Sequence, residues 1–432
     1  MSTVAHPSVT SRRAAATRVT AVLRSETGLA RLALVVVSLH VVDDNFLQPN
    51  AGTSARDHLV SGLVPLALLA LAGAFYPRLR AGARATIALL AGYFGVLVGT
   101  EAIHYTSEVG ASGDDFTGLL SIPAGLLLIG LGAVSLWRSR RTDDRLWWRY
   151  LRRLLVLAVT LVVAAVVLFP VAISYVVTHA ARAKVPVADL GAPYEDVQFA
   201  TADGLRLKGW YIRSHNGAAV ISFPGRASSQ KRAKLLARHG YGVLLFDRRG
   251  EGESEGDPNA FGWRGARDIH AAVAFLQRQA DVDPERIGGI GLSVGGEMMI
   301  EAAAESPELK AIVSEGASSR SVRDEIANGS DWQEVLATGV VGGATAVFTN
   351  NLPPRTLQSL VPQISGATFF VYGEHGQPAE RPANRAFYAA ARGHKEIWEV
   401  PDSGHIGGTE ARPVEYERRV TKFFDRWLRP RR

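Results

Sequence analysis

Five apolar runs lie ahead of residue 180, at 29–47, 59–76, 85–105, 116–137 and 154–178. Each is close to the ~20 residues that carry an α-helix across a ~30 Å hydrocarbon layer. The first is the most polar, with His40 inside it and Asp43-Asp44 near its end. Beyond residue 193 the rhythm changes. Short alternating or wholly apolar stretches predict strands at 197–200, 205–212, 218–223, 242–246, 310–313, 367–372 and 396–400, with another just before Ser293. Ala202-Asp203-Gly204 marks a hairpin turn between the first two. Helical periodicity fills 231–239, 264–279, 297–305 and 413–428.

A hairpin followed by alternating buried strands and helices predicts an α/β doubly wound sheet. The expected organisation is a basic tail at 1–28, an all-α transmembrane domain of about five helices at 29–179, a proline-containing linker at 180–192, and a catalytic-type domain at 193–432. The stretch 320–366 lies between two predicted strands, so it reads as an inserted lid. Its segment 335–348 is apolar and is interrupted by Gly339, Gly342 and Gly343. Such a lid either covers an acyl pocket or dips into a membrane surface.

Charge sharpens this picture. The chain has 432 residues and a net charge of +7, but its arginines gather beside the apolar runs, which fits membrane topology better than nucleic acid. Arg12, Arg13, Arg18, Arg24 and Arg31 flank the first run; Arg78, Arg80 and Arg84 follow the second; Arg138, Arg140, Arg141, Arg145, Arg149, Arg152 and Arg153 follow the fourth. The alternate loops carry Asp43, Asp44 and Asp57, then Glu108, Asp114 and Asp115. The positive-inside rule therefore puts the N-terminus in the cytoplasm and, after five crossings, the C-terminal domain outside. If the first run does not cross, the parity flips, though the other arginine loops would then face the wrong way. The sequence has no cysteine, which excludes disulfides, thiolate metal sites and thiol nucleophiles. His40, Asp43, Asp44, His58, Glu101 and His104 fall near the same ends of the first three helices, where they form either a hydrogen-bonded polar cluster or ligands for a metal ion.

The chemistry concentrates in four loops. Gly291-Leu292-Ser293-Val294-Gly295 is a G-x-S-x-G stretch between a strand and a helix. Phe223-Pro224-Gly225-Arg226 follows the third strand, Asp247-Arg248-Arg249-Gly250-Glu251-Gly252-Glu253-Ser254-Glu255-Gly256 follows the fourth, and Pro401-Asp402-Ser403-Gly404-His405 follows the last. Together these resemble the α/β-hydrolase superfamily, particularly its serine esterase and aminopeptidase-like branches, over roughly 190–432.

The resemblance implies Ser293 as nucleophile, His405 as general base, and the backbone N–H groups of Val294 and Arg226 as oxyanion donors. It also implies an acyl-enzyme mechanism without metal or organic cofactor, acting on a small-molecule or lipid ester, with amides and peptides open. Two departures from the family pattern stand out. Pro224 replaces the usual histidine, and Gly376 occupies the usual aspartate position. The carboxylate behind His405 is then Glu374 as nearest, Glu380 as second and Asp402 as third candidate, or there is none. Without an acid, the domain reads instead as a non-catalytic scaffold or sensor. A transporter with a fused domain is disfavoured because the five runs show no internal repeat.

Overall fold

The computed structural model describes residues 25–138, 145–182 and 184–428. The chain divides into two units, one of residues 1–49 and 54–163, the other of residues 50–53 and 164–432. Most of the basic tail, with Arg140 and Arg141, lies outside the described residues.

In the first unit, α1 (Glu26–Val42) ends in a π-turn at Asp43–Leu47, and α2 (Leu59–Phe75), α3 (Ala81–Val109), α4 (Asp115–Arg138) and α5 (Leu146–Val163) follow. Among the described residues, four helices are long and apolar enough to cross a membrane: Leu59–Arg78, Ala81–Val109, Asp115–Arg138 and Leu161–Thr178. The 17-residue α1 is not among them. Helices α3 and α4 approach so closely that a Cβ on Gly92 would lie 2.6 Å from the Gly125 carbonyl oxygen, and the converse holds for Gly125. Small residues at such a seam let two helix backbones meet closely.

Among the polar residues noted at the helix ends, His40, Asp43 and Glu101 come together around Thr117. Buried His40 contacts the Thr117 hydroxyl through Nδ1 at 3.2 Å, and Thr117 donates to Asp43 at 2.9 Å. Glu101 comes within 3.8 Å of His40 Nε2. In a second set, Ser61 donates to Asn45 Oδ1 and the Asn45 amide donates to Asp44.

The second unit opens with a π-turn at Ala164–Leu168 and α6 (Phe169–Thr178), so its boundary falls earlier than the linker expected from sequence. An eight-stranded sheet follows in the order β1-β2-β4-β3-β5-β6-β7-β8. Its strands are β1 (Glu195–Ala200), β2 (Arg206–Ile212), β3 (Ala219–Phe223), β4 (Gly242–Phe246), β5 (Ile287–Leu292), β6 (Leu309–Glu315), β7 (Ala367–His375) and β8 (Lys395–Gly404). The β1–β2 and β2–β4 pairings are antiparallel and the remainder parallel. Strands β3, β4 and β5 are buried at every position, as expected for strands covered on both faces.

The other longer helices of the unit are α7 (Gln230–Arg238), α8 (Ala266–Leu276), α9 (Val294–Glu305), α10 (Val322–Asn328), α11 (Trp332–Thr349), α12 (Glu380–Ala390) and α13 (Pro413–Trp427). Two apolar clusters line the sheet, one around Leu276, Met299 and Phe387, the other around Leu236, Tyr416 and Phe424. The parallel strands place the loops after β3, β5, β7 and β8 along one edge, where ligands of open α/β sheets bind. The β6–β7 connection holds α10 and α11.

Candidate active site

Ser293 stands between β5 and α9 with φ 53° and ψ −124°, a conformation that costs a non-glycine residue of order 1–3 kcal/mol. Gly291 makes the turn feasible, since a Cβ there would sit 2.2 Å from the Gly295 carbonyl oxygen. Backbone register sets Phe223 beside Gly291, which brings the Pro224–Arg226 loop next to the serine. The Ser293 hydroxyl lies 2.8 Å from His405 Nε2. On the opposite ring nitrogen, His405 Nδ1 is 2.5 Å from Glu380 Oε1.

Glu380, not Glu374, therefore faces the imidazole. Glu374 is exposed, and its carboxylate accepts the backbone N–H of Asp402 at 3.0 Å. Asp402 itself is exposed and pairs with Arg412. The reason lies in Gly376. A Cβ at that position would lie 2.5 Å from Glu380 Oε2, so the carboxylate of Glu380 fills the space a side chain at 376 would take. Glu380 opens α12 and is fully buried, and it accepts the Gln377 N–H at 2.7 Å. The readable signal was a glycine at the expected acid position followed by an acid heading a helix.

The oxyanion loop also departs from expectation. The Arg226 N–H is engaged, donating to Asp247 Oδ1 at 3.1 Å. The buried Arg226 guanidinium grips the same carboxylate at 2.6 and 2.8 Å, reaches Glu253 at 2.7 Å, and lies over the Trp210 ring. Arg226 and Asp247 thus lock two strand-end loops together. Val294 is the first residue of α9, where N–H groups have no intrahelical acceptor and the helix dipole is positive.

Behind the pair lies an element that sequence reading missed. The carbonyl of Glu315 accepts the Ser293 N–H at 2.7 Å. Its buried carboxylate accepts the Gly408 N–H at 3.2 Å, two bonds of 3.1 Å from Arg232, and the Tyr416 hydroxyl at 2.5 Å. Arg232 also holds the Ile406 carbonyl at 2.7 Å, beside His405. Burial raises the Tyr416 phenol well above its usual range, so it stays neutral and donates. No local pattern marks this set, because its members come from α7, β6 and α13.

Glu297, in the first turn of α9, is buried with the Ser318 N–H at 3.3 Å. Burial pushes its carboxyl up to about 8, against the pull of Arg320. As for metal-binding groups among the described residues, Glu374, His375 and Asp402 bring ligand atoms within 4.8 Å of one another, all on the surface. Among the described residues, the cluster around His40 has no such convergence of three ligands.

Comparison with known proteins agrees with this architecture. The family model described as X-Pro dipeptidyl-peptidase (S15 family) matches residues 162–390, just over half the chain. Thiohydrolase aneE of Aspergillus aculeatus is 36% identical over 129 residues, 28% of this chain and 41% of that protein. An uncharacterised Mycobacterium tuberculosis protein is 42% identical over 119 residues, 26% of this chain and 42% of that one. The matched stretch thus spans about two fifths of the length of these curated relatives. The Pyrococcus furiosus esterase Pf2001 superposes with a TM-score of 0.47 at 24% identity, over 57% of this chain and 98% of its own. With a parallel-sheet core, a serine at a strained strand-to-helix turn and a match over 162–390, the chain belongs to the X-Pro dipeptidyl-peptidase (S15) family of α/β-hydrolase type.

Proposed function

We propose that this protein is a membrane-anchored serine hydrolase that cleaves acyl esters through a Ser293–His405–Glu380 triad. The continuous contact from Glu380 through His405 to the Ser293 hydroxyl carries the reading. His405 Nε2 takes the serine proton as Oγ bonds the carbonyl carbon, and then protonates the leaving alkoxide. Water attacks the acyl-enzyme by the same route. Glu380 holds the imidazole in the tautomer with hydrogen on Nδ1 and stabilises its cationic form.

The developing oxyanion is met by the Val294 N–H at the positive end of α9. Arg226 N–H is the second donor. A substrate oxygen that takes it replaces a bond of 3.1 Å, while Asp247 keeps its bonds to the guanidinium. The arginine-rich loop at 138–153 precedes the last span, so the hydrolase unit faces the extracytoplasmic side whether or not α1 crosses.

A fluorophosphonate probe on the full-length protein in detergent tests the reading. The parent becomes labelled and Ser293→Ala does not. Absence of labelling in a folded parent returns the domain to a binding or sensing role. The S15 match favours peptides as a second substrate class, so p-nitrophenyl esters are compared with X-Pro p-nitroanilides; faster anilide turnover makes the protein a peptidase.

A further inference from the structure

The last apolar span, Leu161–Thr178, does not stop at the catalytic unit but is built into it. Its final turns, α6, lie against α11. The Ser174 hydroxyl donates to the Val341 carbonyl at 3.0 Å. Tyr175 stacks on His179 at 3.9 Å and meets Phe348 edge-on at 5.3 Å. One turn on, the Val177 carbonyl accepts the Ala260 N–H at 3.0 Å. Ala260 is held through its own carbonyl by Arg248, and nearby Gly262 approaches the elbow so closely that a Cβ there would be 2.8 Å from Val294 Cγ2. A short path of contacts therefore joins a membrane-spanning helix to the residue beside the nucleophile.

The insertion packed on that helix is apolar outward as well as inward. Trp332 and Leu352 are 71% and 86% exposed, and Ile326 and Leu336 are also open. Phe169, Ile173 and Val176 on α6 are exposed in the same unit. Side chains of this kind on a spanning helix have lipid as their solvent. A neighbouring helix packed along it, with tryptophan at its end, has the composition of an interfacial segment.

We propose that α11 is a lipid-facing door, and that the substrate is a long-chain acyl ester drawn sideways from the bilayer to Ser293. This rests on the serine hydrolase reading. The reaction balances as an ordinary acyl transfer. The lipid's ester C–O bond breaks as the Ser293 Oγ–acyl bond forms, the serine proton passes through His405 to the departing alcohol, and water then releases a free fatty acid.

The test uses full-length protein in phosphatidylcholine vesicles with two esters of one leaving group, p-nitrophenyl palmitate dissolved in the bilayer and p-nitrophenyl butyrate in water. Trp332→Ser/Leu336→Ser is expected to lower palmitate turnover about tenfold and leave butyrate turnover within about twofold. Brominated lipid should quench more fluorescence in the parent than in Trp332→Phe, an arm that needs no activity. Equal loss on both esters, unchanged palmitate turnover, or no difference in quenching overturns the proposal. So does loss of a dimer in the double variant with palmitate turnover intact, because a second copy then covers this face. Failure of the parent on both esters sinks the hydrolase reading instead, and the quenching result still reports where Trp332 lies.

Discussion

Replacing Glu380 by glutamine removes one charge from a fully buried site while keeping the shape of the side chain. The Glu380 carboxylate faces His405 Nδ1 at 2.5 Å, so its charge lies roughly 4 Å from the centre of an imidazolium formed during catalysis. At an effective dielectric constant of ~20, two unit charges at that separation interact by ~4 kcal/mol. At ~1.4 kcal/mol per decade of rate, the loss is ~10³ in kcat. An amide also donates where the carboxylate accepts, which favours the tautomer with hydrogen on Nε2, and the corresponding change in a serine protease costs ~10⁴. The expected outcome for Glu380→Gln is therefore a fall of about 10³- to 10⁴-fold. Glu374→Gln, a surface change, should stay within about threefold. Turnover of p-nitrophenyl butyrate by both variants, with thermal unfolding to confirm folding, decides. A Glu374→Gln enzyme crippled beside a near-normal Glu380→Gln enzyme would refute the assignment. Because Gly376 has an ordinary φ and its missing side chain is replaced by Glu380, Gly376→Asp should recover part of the activity lost in Glu380→Ala.

Two further predictions follow from buried carboxyls. Glu297, lifted from 4.5 to about 8 in the folded state, contributes stability that is fully present below pH 4.5 and lost as pH rises through 8. Glu297→Gln should therefore flatten the decline of Tm across this window and gain on the parent above pH 8; parallel Tm curves would count against it. Glu315→Leu strands the Arg232 guanidinium in the core, and breaking a buried pair from one side costs about 3–5 kcal/mol. A denaturant midpoint equal to the parent's would show that Arg232 finds another partner.

Much of this arrangement was legible because strand and helix periodicities are local. The 218–223 run, apolar except at Ser222, and the all-apolar 242–246 read as strands covered on both faces, and the glycines around Ser293 announced a tight turn. The carboxylate was misjudged because nearness along the chain stood in for nearness in space. Glu374 leaves the end of β7 toward Asp402, whereas four residues of loop bring Glu380 back under the imidazole. The engagement of Arg226 N–H was hidden for a similar reason, since Asp247 arrives from the next strand. The close α3–α4 seam was written in Gly92 and Gly125, but its partners lie on different helices, and helix spacing alone does not pair them.

Glu315 has a consequence for how such a protein can diversify. Its carbonyl fixes the nucleophile, its carboxylate fixes the loop that follows the histidine, and neither bond involves α10 or α11. The insertion leaves the sheet only after Glu315 and returns at Ala367. Within that connection Ala317, Leu357, Leu360, Val361 and Ile364 belong to the core, so the replaceable module is α10 and α11. It can be lengthened, exchanged or opened to admit a different substrate, and the geometry between serine and histidine has no need to be built again.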